Sequence, residues 1–214
     1  MSDRDQRQTI VVVGAGVVGT CCALEAAMRG HQVRLIDPRA PGTGTSFGNA
    51  GSIAIGSIWP TSTPGLWKKL PKMIVDPTSP VQTRWATLPK MAPWLTHFFA
   101  AGRPGRVTEI SAALAGLAQT AMDAHNGLMK RHGINGIIES VGWLKVYSNQ
   151  ASFEGTRAER EAMAAAGVNT ELLNADELRQ LEPHLDRRFT VGFFQPDNGF
   201  VTNPLTLTQA YADA

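Results

Sequence analysis

Cysteine is nearly missing from this sequence: it has two, Cys21 and Cys22, and they are adjacent. Such a pair cannot staple a fold, and no Cys/His spacing suits a metal site, so disulfide scaffolds and zinc-bound modules are excluded. Both cysteines fall inside an expected helix and read as small helix-packing residues. Charge is scarce as well. Charged residues make up 18% of the 214, and the formal net charge of +2 gives no case for nucleic acid. No apolar run approaches the roughly 18 residues that a membrane span needs. The opening MSDRDQRQ is polar, and the apolar run after it is too short and glycine-rich for a secretion signal. A cytoplasmic, reduced setting is expected. What the chain does have is a hydrophobic content of 43% and 21 glycines, which suits an α/β protein whose backbone runs close to a ligand.

The glycines are not scattered. Ile10 to Val13 is a short β-branched run between a polar tail and Gly14, and it predicts a buried parallel strand. Gly14, Gly16 and Gly19 follow in G-x-G-x-x-G register. The first permits a tight turn, the second lets backbone approach a pyrophosphate, and the third lets a helix lie close to the strand. A helix from about Val17 to Arg29 presents its positive end to that phosphate and stops at Gly30. Val33 to Ile36 is the second strand. It ends at Asp37, where an acid accepts hydrogen bonds from a ribose hydroxyl and disfavours a 2′-phosphate.

After Asp37 a nicotinamide-binding domain continues with a short turn, a helix and a third strand. Here the chain reads PRAPGTGTSFGNAGSIAIGS, rich in Gly, Ser and Thr. Thr45 or Ser46 is expected to N-cap a short helix whose N–H groups face a second phosphate or a ring. Gly48, Ala50 and Gly51 leave room for something flat.

These residues, GAGVVG, Asp37 and GTSFGNAG, resemble the N-terminal half of the FAD-dependent D-amino-acid oxidase superfamily. The likeness is strongest to members of the D-amino-acid dehydrogenase and glycine oxidase types. The resemblance implies a Rossmann-like FAD-binding domain with an inserted α+β substrate domain, the C-terminal half of the family fold being absent from this sequence. It places FAD contacts at Gly14, Gly16, Val17, Gly19, Asp37, Thr45, Ser46, Asn49, Ala50 and Gly51, with Arg39 near the adenosine end. It implies oxidation of an amino acid or similar amine by hydride transfer to flavin N5, with quinone or oxygen as electron acceptor. Two alternatives stay open. One is an NAD-dependent dehydrogenase; the other is a non-catalytic nucleotide-binding subunit completed by a second polypeptide.

The remainder divides into a first FAD-binding part (1–58), a substrate domain (59–200) and a return helix (201–214). Prolines between Trp59 and Gly105 predict short, broken helices. A single helix is expected from Val107 to His132, strands around Gly142, a surface helix over 151–166, an Asn174-capped helix, a strand in FTVGFFQ, and a last helix opening at Asn203–Pro204. Trp143, Lys145 and Tyr147 alternate on one strand face, which either looks toward substrate or packs within the domain. His31, His97, His125, His132 and His184 show no metal-ligand or catalytic pattern, and no catalytic residue is legible. Segment 59–106 carries Trp59, Trp67, Trp85 and Trp94 among Lys68, Lys69, Lys72, Arg84, Lys90, Arg103 and Arg106, with Asp76 its one acid. That mixture suits either core packing or a peripheral contact with the inner face of a membrane.

Overall fold

A computed structural model describes residues 7–76 and 84–214. The chain forms two compact units. The first comprises the residues up to Ile53, Met122–Trp143 and Pro196–Ala214; the second comprises Ala54–Ala121 and Leu144–Gln195. This grouping differs from the boundaries expected from sequence in placing Met122–Trp143 with the nucleotide-binding segment.

The first unit opens with β1 (Thr9–Val13), α1 (Val17–Met28) and β2 (Gln32–Ile36). The strands pair in parallel from Thr9↔Gln32 to Val13↔Ile36, as a βαβ crossover requires. Helix α1 buries Thr20, Ala23 and Leu24, the i, i+3, i+4 stripe, and small Ala23 keeps the approach close. Cys21 is half-buried, and burial together with the neighbouring Cys22 pushes its thiol up to about 11. Cys22 is exposed, contrary to its reading as a packing residue, because it faces away from that stripe. Three short strands, β3 (Ser52–Ile53), β4 (Ile138–Glu139) and β8 (Gly199–Val201), form an antiparallel sheet in the order β3-β8-β4. The closing helix α9 (Pro204–Asp213) packs against α1 and buries Leu207, Thr208 and Tyr211. Its expected cap is present: Asn203 accepts from the N–H groups of Leu205 and Thr206. The opposite face of the β1–β2 pair is bare among the described residues, with Val13 82% and Val11 53% exposed.

In the second unit β5 (Trp143–Tyr147), β7 (Val191–Gln195) and β6 (Glu171–Leu173) form a sheet in the order β5-β7-β6. Its core gathers Ile58, Ala115, Phe153, Met163, Val168 and Phe193. Around it lie α2 (Leu66–Val75), α3 (Leu88–Ala101), α4 (Pro104–Ala118), α6 (Gln150–Glu154), α7 (Arg157–Ala165) and α8 (Ala175–Leu181). Asn174 and Glu177 make a full capping box on α8.

Two expectations about helices are corrected. The helix expected over 107–132 is two helices, α4 and α5 (Ala121–His132), parted at Gln119–Thr120. There the Thr120 hydroxyl donates to the Leu117 carbonyl, competing with the backbone N–H that would continue the helix, and the Gln119 side chain donates to the Ala166 carbonyl. The proline-rich stretch is more helical than expected, α3 running 14 residues. Pro89 and Pro104 occupy first turns, where the missing N–H costs nothing. Pro71 and Pro93 sit inside helices, each removing one internal hydrogen bond.

Candidate cofactor site

The site begins where β1 stops. Gly14 turns the chain with φ 103, a conformation that side chains resist, and its N–H donates to the Ile36 carbonyl at 2.7 Å. Gly16 is the N-cap of α1. It brings no side-chain hydrogen bond, and the first turn holds no acid. No charged side chain of the first turn offsets the positive end of the helix, which suits an anion there. Gly19 lies one turn on, where a Cβ would fall on the Gly14 carbonyl oxygen; the third glycine is a packing requirement.

Asp37 follows β2 and ties the turn together. One carboxylate oxygen accepts from the Ala15 N–H at 2.9 Å and the other from the Arg39 N–H at 2.9 Å. Those backbone donors hold its carboxyl below the usual range, so it is ionised at neutral pH with lone pairs left for a ribose hydroxyl.

Ser46 does not cap a helix of its own. Residues 44–49 form turns, and the nearly buried Ser46 hydroxyl accepts from the Val17 N–H at 2.9 Å. Ser46 instead serves the first turn of α1, from 29 residues away. Asn49 then staples the strap, accepting from the Gly51 N–H at 2.8 Å and donating to the Thr45 carbonyl. Gly51, at φ 69, brings its carbonyl to the Val201 N–H at 2.7 Å.

These bonds leave two clefts. One, of about 240 Å³, is lined by Gly16, Asp37, Arg39, Gly44, Thr45 and Ser46 among others. The second, of about 140 Å³, is lined by Val17, Ser46, Asn49, Gly51, His125 and Thr208 among others. Of the residues singled out from sequence, Gly14 and Gly19 lie under the turn, and exposed Ala50 lines neither cleft. The rest line one cleft or both.

Sequence reasoning missed the floor of the second cleft. His125 Nδ1 lies 2.9 Å from the hydroxyl of buried Tyr211, and their rings stack at 5.9 Å. Burial lowers the pKa of His125 and raises that of the Tyr211 phenol, the Cys21 thiol adding to the second shift. A lowered histidine pKa means that the unfolded chain binds the proton first. This contribution to stability is complete above the ordinary value of 6.5 and is lost as pH falls toward the lowered folded value. The melting temperature of wild type is thus expected to drop between pH 7 and pH 5 more than that of His125→Gln, which keeps a polar partner for Tyr211 and does not titrate. Parallel melting curves across that range check this.

Of the other candidates, Lys145 pairs with Glu159 at 2.6 Å and Tyr147 meets the Phe153 ring edge-on, so these two pack within the second unit, while Trp143 on the same strand is 40% exposed. His184 and His97 are exposed.

A parallel β-α-β unit with a glycine turn, an open helix N-terminus and a trailing acid defines a dinucleotide-binding fold. The chain belongs to the FAD dependent oxidoreductase family, whose model matches residues 9–214. It is 36% identical over 207 residues to a D-amino-acid oxidase of Bradyrhizobium diazoefficiens, covering 95% of this chain and 49% of that protein. It is 28% identical to a D-amino acid dehydrogenase of Chromohalobacter salexigens, covering 88% of this chain and 46% of that one. The chain spans about half the length of the curated relatives it matches. Among solved structures, glycine oxidase from Bacillus cereus superposes with a TM-score of 0.57 over 97% of this chain and 43% of its own, at 18% identity. L-Proline dehydrogenase from P. horikoshii gives 0.60 over 97% and 41%, also at 18% identity. At such identities the structures establish the fold. The family's cofactor is FAD, and the α/β reading with an N-terminal FAD-binding segment stands.

Proposed function

We propose that the protein serves an FAD-dependent oxidation of the bond between the α-carbon and nitrogen of an amino acid. The flavin part of this reading rests on the strap from Asp37 to Gly51, bound onto the end of α1 through Ser46, and the amino-acid part on the relatives, a D-amino-acid oxidase and a D-amino acid dehydrogenase. A nicotinamide site has no use for such a strap, whereas a longer cofactor lying along it explains its glycines. When bound, FAD would supply at flavin N5 the acceptor for a hydride from the α-carbon; the neutral amine would become an iminium, which water converts to an oxo acid and ammonium.

The chain's own residues do the holding. The first-turn amides of α1 balance the pyrophosphate, Asp37 orients the ribose, and Arg39 lies at the adenosine end of the larger cleft. Asn49 takes the Gly51 N–H and fixes the strap along the second cleft. Gly14 and Gly19 shape the turn from beneath.

The purified protein is expected to be yellow, and its flavin absorbance to bleach without oxygen when D-amino acids are added. A colourless protein that retains NAD overturns the reading. A yellow protein that no amino acid bleaches favours a nucleotide-binding subunit. Parallel sheets are covered on both faces, and the exposed Val11, Val13 and Ile36 face leaves room for a covering layer of polypeptide under either reading. The electron acceptor, quinone or oxygen, depends on whether the protein works at the inner face of a membrane.

A further inference from the structure

Among the described residues no helix is long and apolar enough to cross a membrane. Two helices of the second unit nonetheless carry apolar residues on both sides. Along α2, Leu66, Leu70, Met73 and Ile74 are half-buried and form the inward stripe. The outward stripe should then be polar. Instead Trp67, Pro71 and Val75, at i, i+4 and i+8, stand in solvent, Trp67 62% and Val75 82% exposed. Lys68 and Lys72 run beside them, also exposed, the Lys68 ammonium lying 5.4 Å from the centre of the Trp67 ring.

The pattern repeats on α3. Leu88, Leu95 and Phe98 turn inward, while Lys90, Met91 and Trp94 are exposed, Trp94 at 55%. The 3-10 turn before it presents Arg84 and Trp85, the latter 67% exposed. This helix is firmly seated: the Ser62 hydroxyl donates to the Phe98 carbonyl at 2.6 Å, and Trp94 stacks on Phe98 at 5.0 Å. Trp94 is thus held in place at the rim of the inward stripe, its ring reaching into solvent. Tryptophan is on average well buried, so Trp67, Trp85 and Trp94 all standing in solvent calls for an occupant.

We infer that the outward faces of α2 and α3 dock on an anionic lipid bilayer. Charge complementarity selects this occupant. Lys68, Lys72, Arg84 and Lys90 are exposed, and Asp76 is the only acid between residues 59 and 106. Lysine is depleted from the cores of protein–protein interfaces. Tryptophan beside lysine is the composition of a membrane interface, the indole at headgroup depth and the ammonium reaching phosphate. This adds a partner to the proposed function and does not depend on it, since attachment requires neither flavin nor turnover.

The test is co-sedimentation of the purified protein with phosphatidylcholine vesicles, with and without phosphatidylglycerol. It is run at about 0.1 M and about 1 M salt, between which the screening length falls from roughly 10 Å to roughly 3 Å. Wild type is expected to pellet with the anionic vesicles at low salt and at least tenfold less at high salt. Each basic residue at such a surface contributes about fivefold, so Lys68→Glu/Lys72→Glu/Lys90→Glu is expected to lose more than about a hundredfold in partitioning. Trp67→Ala/Trp94→Ala is expected to lose about tenfold at low salt. Circular dichroism confirms that each variant is folded. Wild type remaining in the supernatant, or a charge-reversed variant that pellets equally, overturns the inference. So does a dimer by light scattering that the tryptophan variant dissociates, since the face then belongs to a second copy. None of these outcomes touches the flavin reading, which rests on absorbance.

Discussion

Gly16→Val is expected to give a folded protein that retains less than about a tenth of the wild-type FAD. The substitution introduces no backbone strain, because Gly16 has φ -73 and ψ 174, a region open to every residue. The effect comes from where the side chain goes. A Cβ at this position lies 3.3 Å from the Ser46 hydroxyl, so the branched γ carbons must spread over the N-terminus of α1 and into the 240 Å³ cleft. They fill the space where the proposed site holds a phosphate and crowd Ser46 at the Val17 N–H. Gly19→Ala is expected to behave differently. Its Cβ would fall on the Gly14 carbonyl oxygen, and backbone lies on both sides of the contact, so β1 and α1 must separate. Overpacking of this kind costs about 1–3 kcal/mol or more and lowers stability as well as cofactor content. The ratio of flavin to protein absorbance, read beside a melting curve, distinguishes the two. Stoichiometric FAD in a folded Gly16→Val protein removes this turn from the cofactor site.

That contrast shows what the sequence could disclose. Gly14 is required by its positive φ, Gly16 by the space over the helix end and Gly19 by the close approach of the Gly14 carbonyl, so the three mark the turn in the sequence itself, and Asp37 marks the end of β2. The strap was legible as Gly, Ser and Thr without a helical stripe, and its glycines matched a recognisable family pattern. Long-range partnerships were not legible. Ser46 has the composition of an N-cap, and nothing local says that the helix it serves starts at Val17. His125 and Tyr211 stand 86 residues apart, and each looks like an ordinary helical residue in its own segment. At the break between α4 and α5 the Gln119 side chain reaches the Ala166 carbonyl, again a tertiary contact. The exposure of Trp67 and Trp94 was likewise undecidable, because tryptophan among lysines serves a core as well as a surface until the fold assigns the faces.

Gly51→Ala is expected to destabilise the first unit by about 3 kcal/mol or more and to release FAD with it, whereas Gly48→Ala is expected to cost about 1 kcal/mol. Both glycines have left-handed backbone, φ 69 at Gly51 and φ 71 at Gly48, so an added Cβ meets similar conformational strain at each. Their surroundings differ. Nothing lies within 4 Å of a Cβ at Gly48, and strain is the whole cost there. At Gly51 the Cβ would collide with the Val201 carbonyl oxygen, on the strand whose N–H already donates to the Gly51 carbonyl at 2.7 Å. Relieving the collision pulls Gly51 away from β8, breaking that hydrogen bond and loosening the Asn49 staple beside it. Each buried bond left unmade adds about 1–3 kcal/mol to the strain. The strap is then free to leave the end of α1, and the cofactor contacts expected at Thr45, Ser46 and Asn49 go with it. Urea unfolding of the two variants, followed by flavin fluorescence in parallel with circular dichroism, measures the difference. Equal losses at Gly48 and Gly51 mean that backbone strain alone sets the cost, and that β8 does not hold the strap.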